Sequence, residues 1–410
     1  MFRALRHPPF RTLWALVILG QLGYWFSSIV FQWEVANRTG NDPLALGVLY
    51  FCGLAPFLLF SLPAGMVADS RDRRTLIILV QVAASLLAVT ATLLAALAAM
   101  TVPALMVLSF LAGCVATVLS PASHALIAKV VPAEDMVSAV PLQSAGVNLA
   151  RITGPALVGP VLMVGGPVSA FGAYAALSIG AAALAGRLAA SVGPAASVPV
   201  ETVRQRLTAG ISHVRQRRPM LPALAVVSAT SLFGSSYVAQ LPLIGARVSA
   251  DSDTAFLILV TLGGIGSLLG VLSVAWRGRR LGVASAASQL AALGVIVGLI
   301  GVTRSFPLIV VLMVLGGALS FSIMTSINSI LQHVVDDAQR GRVLSLYFVC
   351  WGGLLPLGGL GLGGLVRMLD VGWAFACAGC LAVLAGLGIA LRTRRSASHP
   401  AGDRRARQAR

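Results

Sequence analysis

Of the 410 residues, 57% are hydrophobic and only 10% are charged, whereas a soluble domain carries about 25% charge. Apolar runs of about 20 residues, enough to span a bilayer, recur from end to end, so the chain is an integral membrane protein whose first partner is the lipid bilayer. The net charge of +17 would suggest nucleic acid on a soluble protein; here the basic residues sit between apolar runs, and no nucleic-acid partner is expected.

Arg3 to Gly20 has the make-up of a secretion signal, but the run continues apolar to Trp33 without a cleavage site and reads as the first spanning helix. The pattern predicts twelve spans, at 12–34, 44–68, 75–99, 103–128, 139–164, 167–189, 220–246, 254–276, 281–303, 307–332, 343–367 and 372–391. Gln21, Tyr24, Trp25, Gln32 and Trp33 give the first span a mixed aromatic and amide character. Glu34 is the one carboxylate within a span. It reads as a solvated helix-end residue beside Arg38, or as a group for proton coupling, which needs a carboxyl whose affinity shifts with access.

Between the second and third spans lies Gly65-Met66-Val67-Ala68-Asp69-Ser70-Arg71-Asp72-Arg73-Arg74. Five charges in six residues cannot lie in hydrocarbon, at about 2.5–3.5 kcal/mol each, so this is an aqueous turn. The fourth span ends near Lys129, the only lysine, with no glycine run before it; a Walker A loop is excluded. The fifth span holds Asn148, Arg151, Gly154-Pro155 and Gly159-Pro160. Arg151 is the only basic residue deep in a span, where such groups face a cavity or a partner. It reads as a binding or coupling charge for an anion, or as a structural partner of Asn148 or of neighbouring carbonyls.

An Ala-, Pro- and Arg-rich connection, 190–219, is the longest polar stretch. In the seventh span Phe233, Tyr237 and Gln240 repeat the character of the first, and Asn328 is a polar residue of the tenth. The eleventh span carries Gly358, Gly359, Gly361, Gly363 and Gly364, which make a smooth helix face for bending or for tight packing. Cys377-Ala-Gly-Cys380 has a redox or metal spacing, but it lies in an apolar run without a second ligand pair and reads as packing. No metal site, cofactor or catalytic constellation is expected, and the chain reads as a non-enzyme. The basic tail, 392–410, is expected to be disordered and cytoplasmic.

Twenty-five basic residues fall on the side of the termini and four on the other, with Arg151 inside a span. The positive-inside rule puts both termini and the central connection in the cytoplasm. Lys129-Val-Val-Pro-Ala-Glu-Asp135 and His333-Val-Val-Asp-Asp-Ala-Gln339 end the fourth and tenth spans 204 residues apart, which marks two copies of a six-helix unit: 1–189 and 220–391.

The pattern Gly65, Asp69, Arg73, Arg74 resembles the loop between helices 2 and 3 of the major facilitator superfamily of transporters, with Asp72 where a Gly is usual. Phe10-Arg11-Thr12-Leu13-Trp14, Asn148 to Ala156 and Arg340-Gly-Arg-Val-Leu-Ser-Leu346 resemble, over essentially the whole chain, the bacterial branch that includes the enterobactin exporter and macrolide-efflux-type permeases. The resemblance implies an all-α membrane fold of twelve helices in two pseudo-symmetric halves, with a substrate site between them near mid-membrane. It implies that Gly65, Asp69, Arg73 and Arg74 form a conformational switch, and that Gly154, Pro155 and Gly159 are a partial match to an exporter motif. The expected function is proton-coupled antiport of small amphipathic organic molecules of drug, macrolide or siderophore type, by a monomer in a bacterial inner membrane. Glu34, Asn148, Arg151, Gln21, Tyr24, Trp25, Tyr237, Gln240 and Asn328 are the candidates for contact with substrate or protons. Import of a metabolite, or a non-transporting role on the same fold, are the alternatives.

Overall fold

A computed structural model describes residues 3–70, 72–188, 220–277, 282–335, 343 and 346–397. The connection expected at 190–219 and most of the basic tail, 398–410, lie outside the described residues, as do Arg71, the surroundings of Gly65 and the side chain of Asp69.

The described residues are helical, in keeping with their composition. They form α1 (Pro8–Thr39), α2 (Pro43–Ser70), α3 (Arg73–Ala96), α4 (Val102–Val130), α5 (Met136–Gly186), α6 (Met220–Ala229), α7 (Leu241–Val248), α8 (Ser252–Arg277), α9 (Val283–Val302), α10 (Phe306–Val334), α11 (Leu355–Leu369) and α12 (Val371–Ala397). Eleven helical stretches are long and apolar enough to cross a membrane. One of them, Ser138–Gly186, has 49 residues, about 74 Å of helix at 1.5 Å per residue, more than twice the roughly 30 Å of hydrocarbon. It crosses twice, because α5 breaks at Gly165 and Gly166. Gly166 has φ 64° and ψ −157°, a conformation open in practice to glycine alone. The Ser169 hydroxyl reaches the carbonyls of Val161 and Gly166, each at 2.8 Å, and ties the two limbs together. The described residues therefore make twelve crossings.

Three of the differences from the expected spans concern the first, seventh and last. The first helix starts at Pro8 and runs on to Thr39 rather than covering only 12–34. The seventh span is not one α-helix: a π segment, Thr230–Gly234, and a 3-10 segment, Ser236–Gln240, interrupt it between α6 and α7. The last helix continues to Ala397, past the expected end at 391.

Packing repeats between the halves. The pairs α2 with α4 and α3 with the second limb of α5 correspond to α8 with α10 and α9 with α12. Lipid faces are apolar: Leu79, Leu86 and Leu93 are exposed at intervals of seven along α3, opposite buried Ile77, Ala84, Ala88 and Ala91.

The buried side chains form three clusters, and their placement gives the shape. One, at the end of the molecule that carries the α1–α2 turn, draws on both halves, with Phe31, Leu46 and Phe171 beside Leu241, Phe256 and Leu362. At the end that carries the termini each half has its own, one around Phe10, Leu16 and Leu126 and one around Leu224, Leu290 and Ile327. Among the described residues the halves thus share a core at the turn end and have separate cores at the termini end.

Candidate functional site

The closed turn end is held by main-chain contacts between the halves. Gln32 of α1 donates from its amide nitrogen to the carbonyls of Val238 and Ala239, both at 3.0 Å. Gln240 returns the contact, donating to the Pro43 carbonyl at 3.0 Å. A side chain on Gly363 would collide with that same Pro43 carbonyl, and one on Gly359 would meet the Tyr50 ring. The glycines of α11 are therefore what lets α2 approach so closely, and dispersion at such contacts is a main source of helix association in lipid. Arg367 and Asp42 lie 3.9 Å apart at the exposed rim, a pair worth at most about 1 kcal/mol.

Toward mid-membrane the contact narrows to α2 against the π segment Val349–Gly353, where Leu58 packs on Gly353. Arg151 sits at this level, fifteen residues into α5. Its position follows from Gly154, three residues later on the same face. A Cβ there would stand 3.0 Å from the Phe26 nitrogen and 3.0 Å from the Trp25 Cβ, so the bare glycine lets α5 lie against α1 and brings Arg151 over the Trp25 ring at 4.9 Å. The opposite half supplies Phe321 of α10, at 5.2 Å, and Trp351 of the π segment, at 5.5 Å. Three rings from both halves surround the guanidinium, each cation–π contact being worth about 0.5–2 kcal/mol. Together they offset a cost of about 2.5–3.5 kcal/mol for the charge at this depth. Neither the Arg151 Nε nor the Trp25 Nε1 has a hydrogen-bond partner among the described residues. Tyr24, edge-on to Trp25 with centroids 5.4 Å apart, and Phe57 extend the aromatic wall.

The other sequence candidates are dispersed. Glu34 is buried but bonded to Arg38 (Nε to Oε1, 2.6 Å) near the turn end, well away from the cage. Gln21 lines a small void of about 20 Å³ inside the first half, with Gln81, Tyr174 and Ser178. Tyr237 is buried with its hydroxyl against Gly316, inside the second half. Asn328 accepts from Gln332 at 2.9 Å near the termini end of α10. The Asn148 side chain lies outside the described residues. Gly159 packs against Leu257 at the rim of a groove of about 490 Å³ between α5 and α8, and Pro155, next to Gly154, is buried. Of the loop residues, Arg73 and Arg74 open α3, and Asp72 caps it by accepting from the Thr75 nitrogen at 3.0 Å and hydroxyl at 2.7 Å. Those bonds hold the Asp72 carboxyl below its usual range.

Phe321 and Trp351 are the cage members that the sequence did not single out. The one signal for Trp351 is Tyr347-Phe348-x-x-Trp351 running into Gly352-Gly353, an aromatic ladder before a flexible pair.

Two six-helix halves, a shared core at one end and a charged aromatic centre where the halves meet define a membrane transporter of the major facilitator class. The whole-chain comparison agrees: residues 1–407 match the model of the transmembrane secretion effector family of that superfamily, and the chain belongs to it. The chain is similar to the staphyloferrin A transporter of Staphylococcus aureus (strain NCTC 8325 / PS 47), 26% identical over 346 residues, 83% of this chain and 85% of that one. In fold it is similar to a mutant of the peptide transporter POT, with TM-score 0.76, 15% identity and 94% of each chain covered. A bacterial homolog of the human lysosomal transporter Spinster, in an inward-facing and unoccupied conformation, superposes with TM-score 0.70, 15% identity, and 96% and 99% coverage.

Proposed function

We propose that this chain is a proton-driven exporter of small amphipathic organic molecules, working by alternating access in a bacterial inner membrane as a monomer. The observation that carries the reading is the cage: a guanidinium Nε–H and an indole N–H without partners among the described residues, walled by rings from both halves, where the shared core of the turn end gives way to separate cores. Aromatic walls with few polar hooks suit a partly apolar solute, and a site made by both halves is where binding can bias the switch between states. The excess of basic residues at the termini end favours a cytoplasmic place for that end, and on that reading the halves part on the inner side and substrate loads from inside. The secretion description of the family favours export, and the name of the staphylococcal relative makes a siderophore the sharper substrate, with a drug or macrolide as the broader one. Glu34, buried at the closed gate beside Arg38, is the carboxylate that opening would expose to protons from outside. The driving force suffices: one charge gains about 2.3 kcal/mol per 100 mV, so roughly 150 mV supports a gradient of a few hundredfold.

Uptake into inverted vesicles under an inside-acid gradient, with siderophore and drug panels, tests this. Accumulation that a protonophore abolishes is the expected result. Accumulation by right-side-out cells, driven by the proton gradient, would mean import and overturn the export reading.

A further inference from the structure

We infer that the Arg151 cage is an oxyanion subsite, so that the substrate carries a carboxylate or similar acidic group on an apolar body; this rests on the transporter reading but not on its direction or its coupling. The two unpartnered atoms at the site, Arg151 Nε and Trp25 Nε1, are both donors. A ligand that satisfies them has to present acceptors, and a cation or a donor-rich amine would face like groups. No carboxylate among the described residues answers the charge: Glu34 is taken up by Arg38, Asp42 lies near Arg367 at the rim, and Asp135 is bonded to His7 at 2.9 Å at the termini end.

The rings stand 4.9–5.5 Å from the Arg151 Cζ, and such cation–π contact gives the Nε–H no acceptor. A guanidinium binds a carboxylate as a fork through two parallel bonds, and the unpartnered Nε–H is one prong of it. Trp25 and Arg151 come from the first half, Phe321 and Trp351 from the second. An anion seated here neutralises the Arg151 charge, which rings of both halves now surround, and its apolar body takes the place of ring contacts. Loading then loosens the grip of the second half on Arg151, which is the differential interaction a transported ligand needs.

The test is equilibrium binding to the purified full-length protein in detergent, read by tryptophan fluorescence, with 1-naphthoate and its neutral amide, 1-naphthamide. The expected result is saturable quenching by naphthoate with at least tenfold preference over naphthamide. Arg151→Gln should remove that preference and leave naphthamide unchanged; Arg151→Lys, which keeps the charge but not the fork, should retain part of it. Trp25→Phe keeps the ring and deletes one donor, and should weaken naphthoate alone, by several-fold. Equal binding of the two compounds, or a preference that survives Arg151→Gln, overturns the subsite. Because binding is read without a gradient, failure of vesicle transport leaves this result standing, and export of a neutral compound unaffected by Arg151→Gln would sink the subsite while sparing the transporter.

Discussion

Replacing Gln32 and Gln240 by leucine removes the three hydrogen bonds that cross the closed gate. Each is worth about 0.5–1.5 kcal/mol net, and the released carbonyls find water once the gate parts, so the population should shift toward the open gate by at least tenfold. The check is labelling, from the turn side, of a cysteine placed at Tyr50 in a background without the five native cysteines; an unchanged rate would show that glycine packing alone holds the gate. A second prediction at this scale concerns Asp72. Its folded carboxyl lies below the usual value, so the cap is intact at neutral pH and is lost only as pH falls through that lowered value. Asp72→Ala should weaken the start of α3 by about 0.5–2 kcal/mol, read as faster amide exchange at Leu76, and acidification should produce the same change in the parent protein. Arg151 was legible because it is the only basic residue deep in an apolar run, and Trp25 because it neighbours amides and Tyr24. Phe321 and Trp351 were not, because a ring within an apolar span carries no mark that separates packing from a site.

At the scale of elements, Gly154 is the register of α5 on α1. Gly154→Val should push the helices apart by the contacts at Phe26 and Trp25 and move Arg151 off its ring; transport should fall at least tenfold while membrane insertion is retained. Insertion lost along with transport would place the glycine in folding rather than in the site. The spans themselves were legible as apolar runs, and the turn between the limbs of α5 as Gly165-Gly166-Pro167. The interruptions at Thr230–Gly234, Ser236–Gln240 and Val349–Gly353 were not. A π or 3-10 turn changes which carbonyl each N–H meets and leaves the side-chain composition as it was. The pairing of Gln32 with carbonyls more than two hundred residues away was hidden for a related reason. Apolar periodicity reports which face is buried, and says nothing of which distant backbone it meets.

At the scale of the whole molecule, a shared core at one end and separate cores at the other make one of two states. The pseudo-symmetry of the halves makes the second state available, since α2 with α11 and α5 with α8 are equivalent seams about which the halves can rock. The most direct measurement places spin labels at Asn37 and Met368 for the closed end, and at Lys129 and His333 for the open end, all four positions being exposed, in protein reconstituted into liposomes. Alternating access predicts two populations whose distances move in opposite directions: where the Asn37–Met368 distance lengthens, the Lys129–His333 distance shortens, and Gln32→Leu with Gln240→Leu enriches that population. A single distance at both ends under a proton gradient, or lengthening at both ends together, would contradict the account.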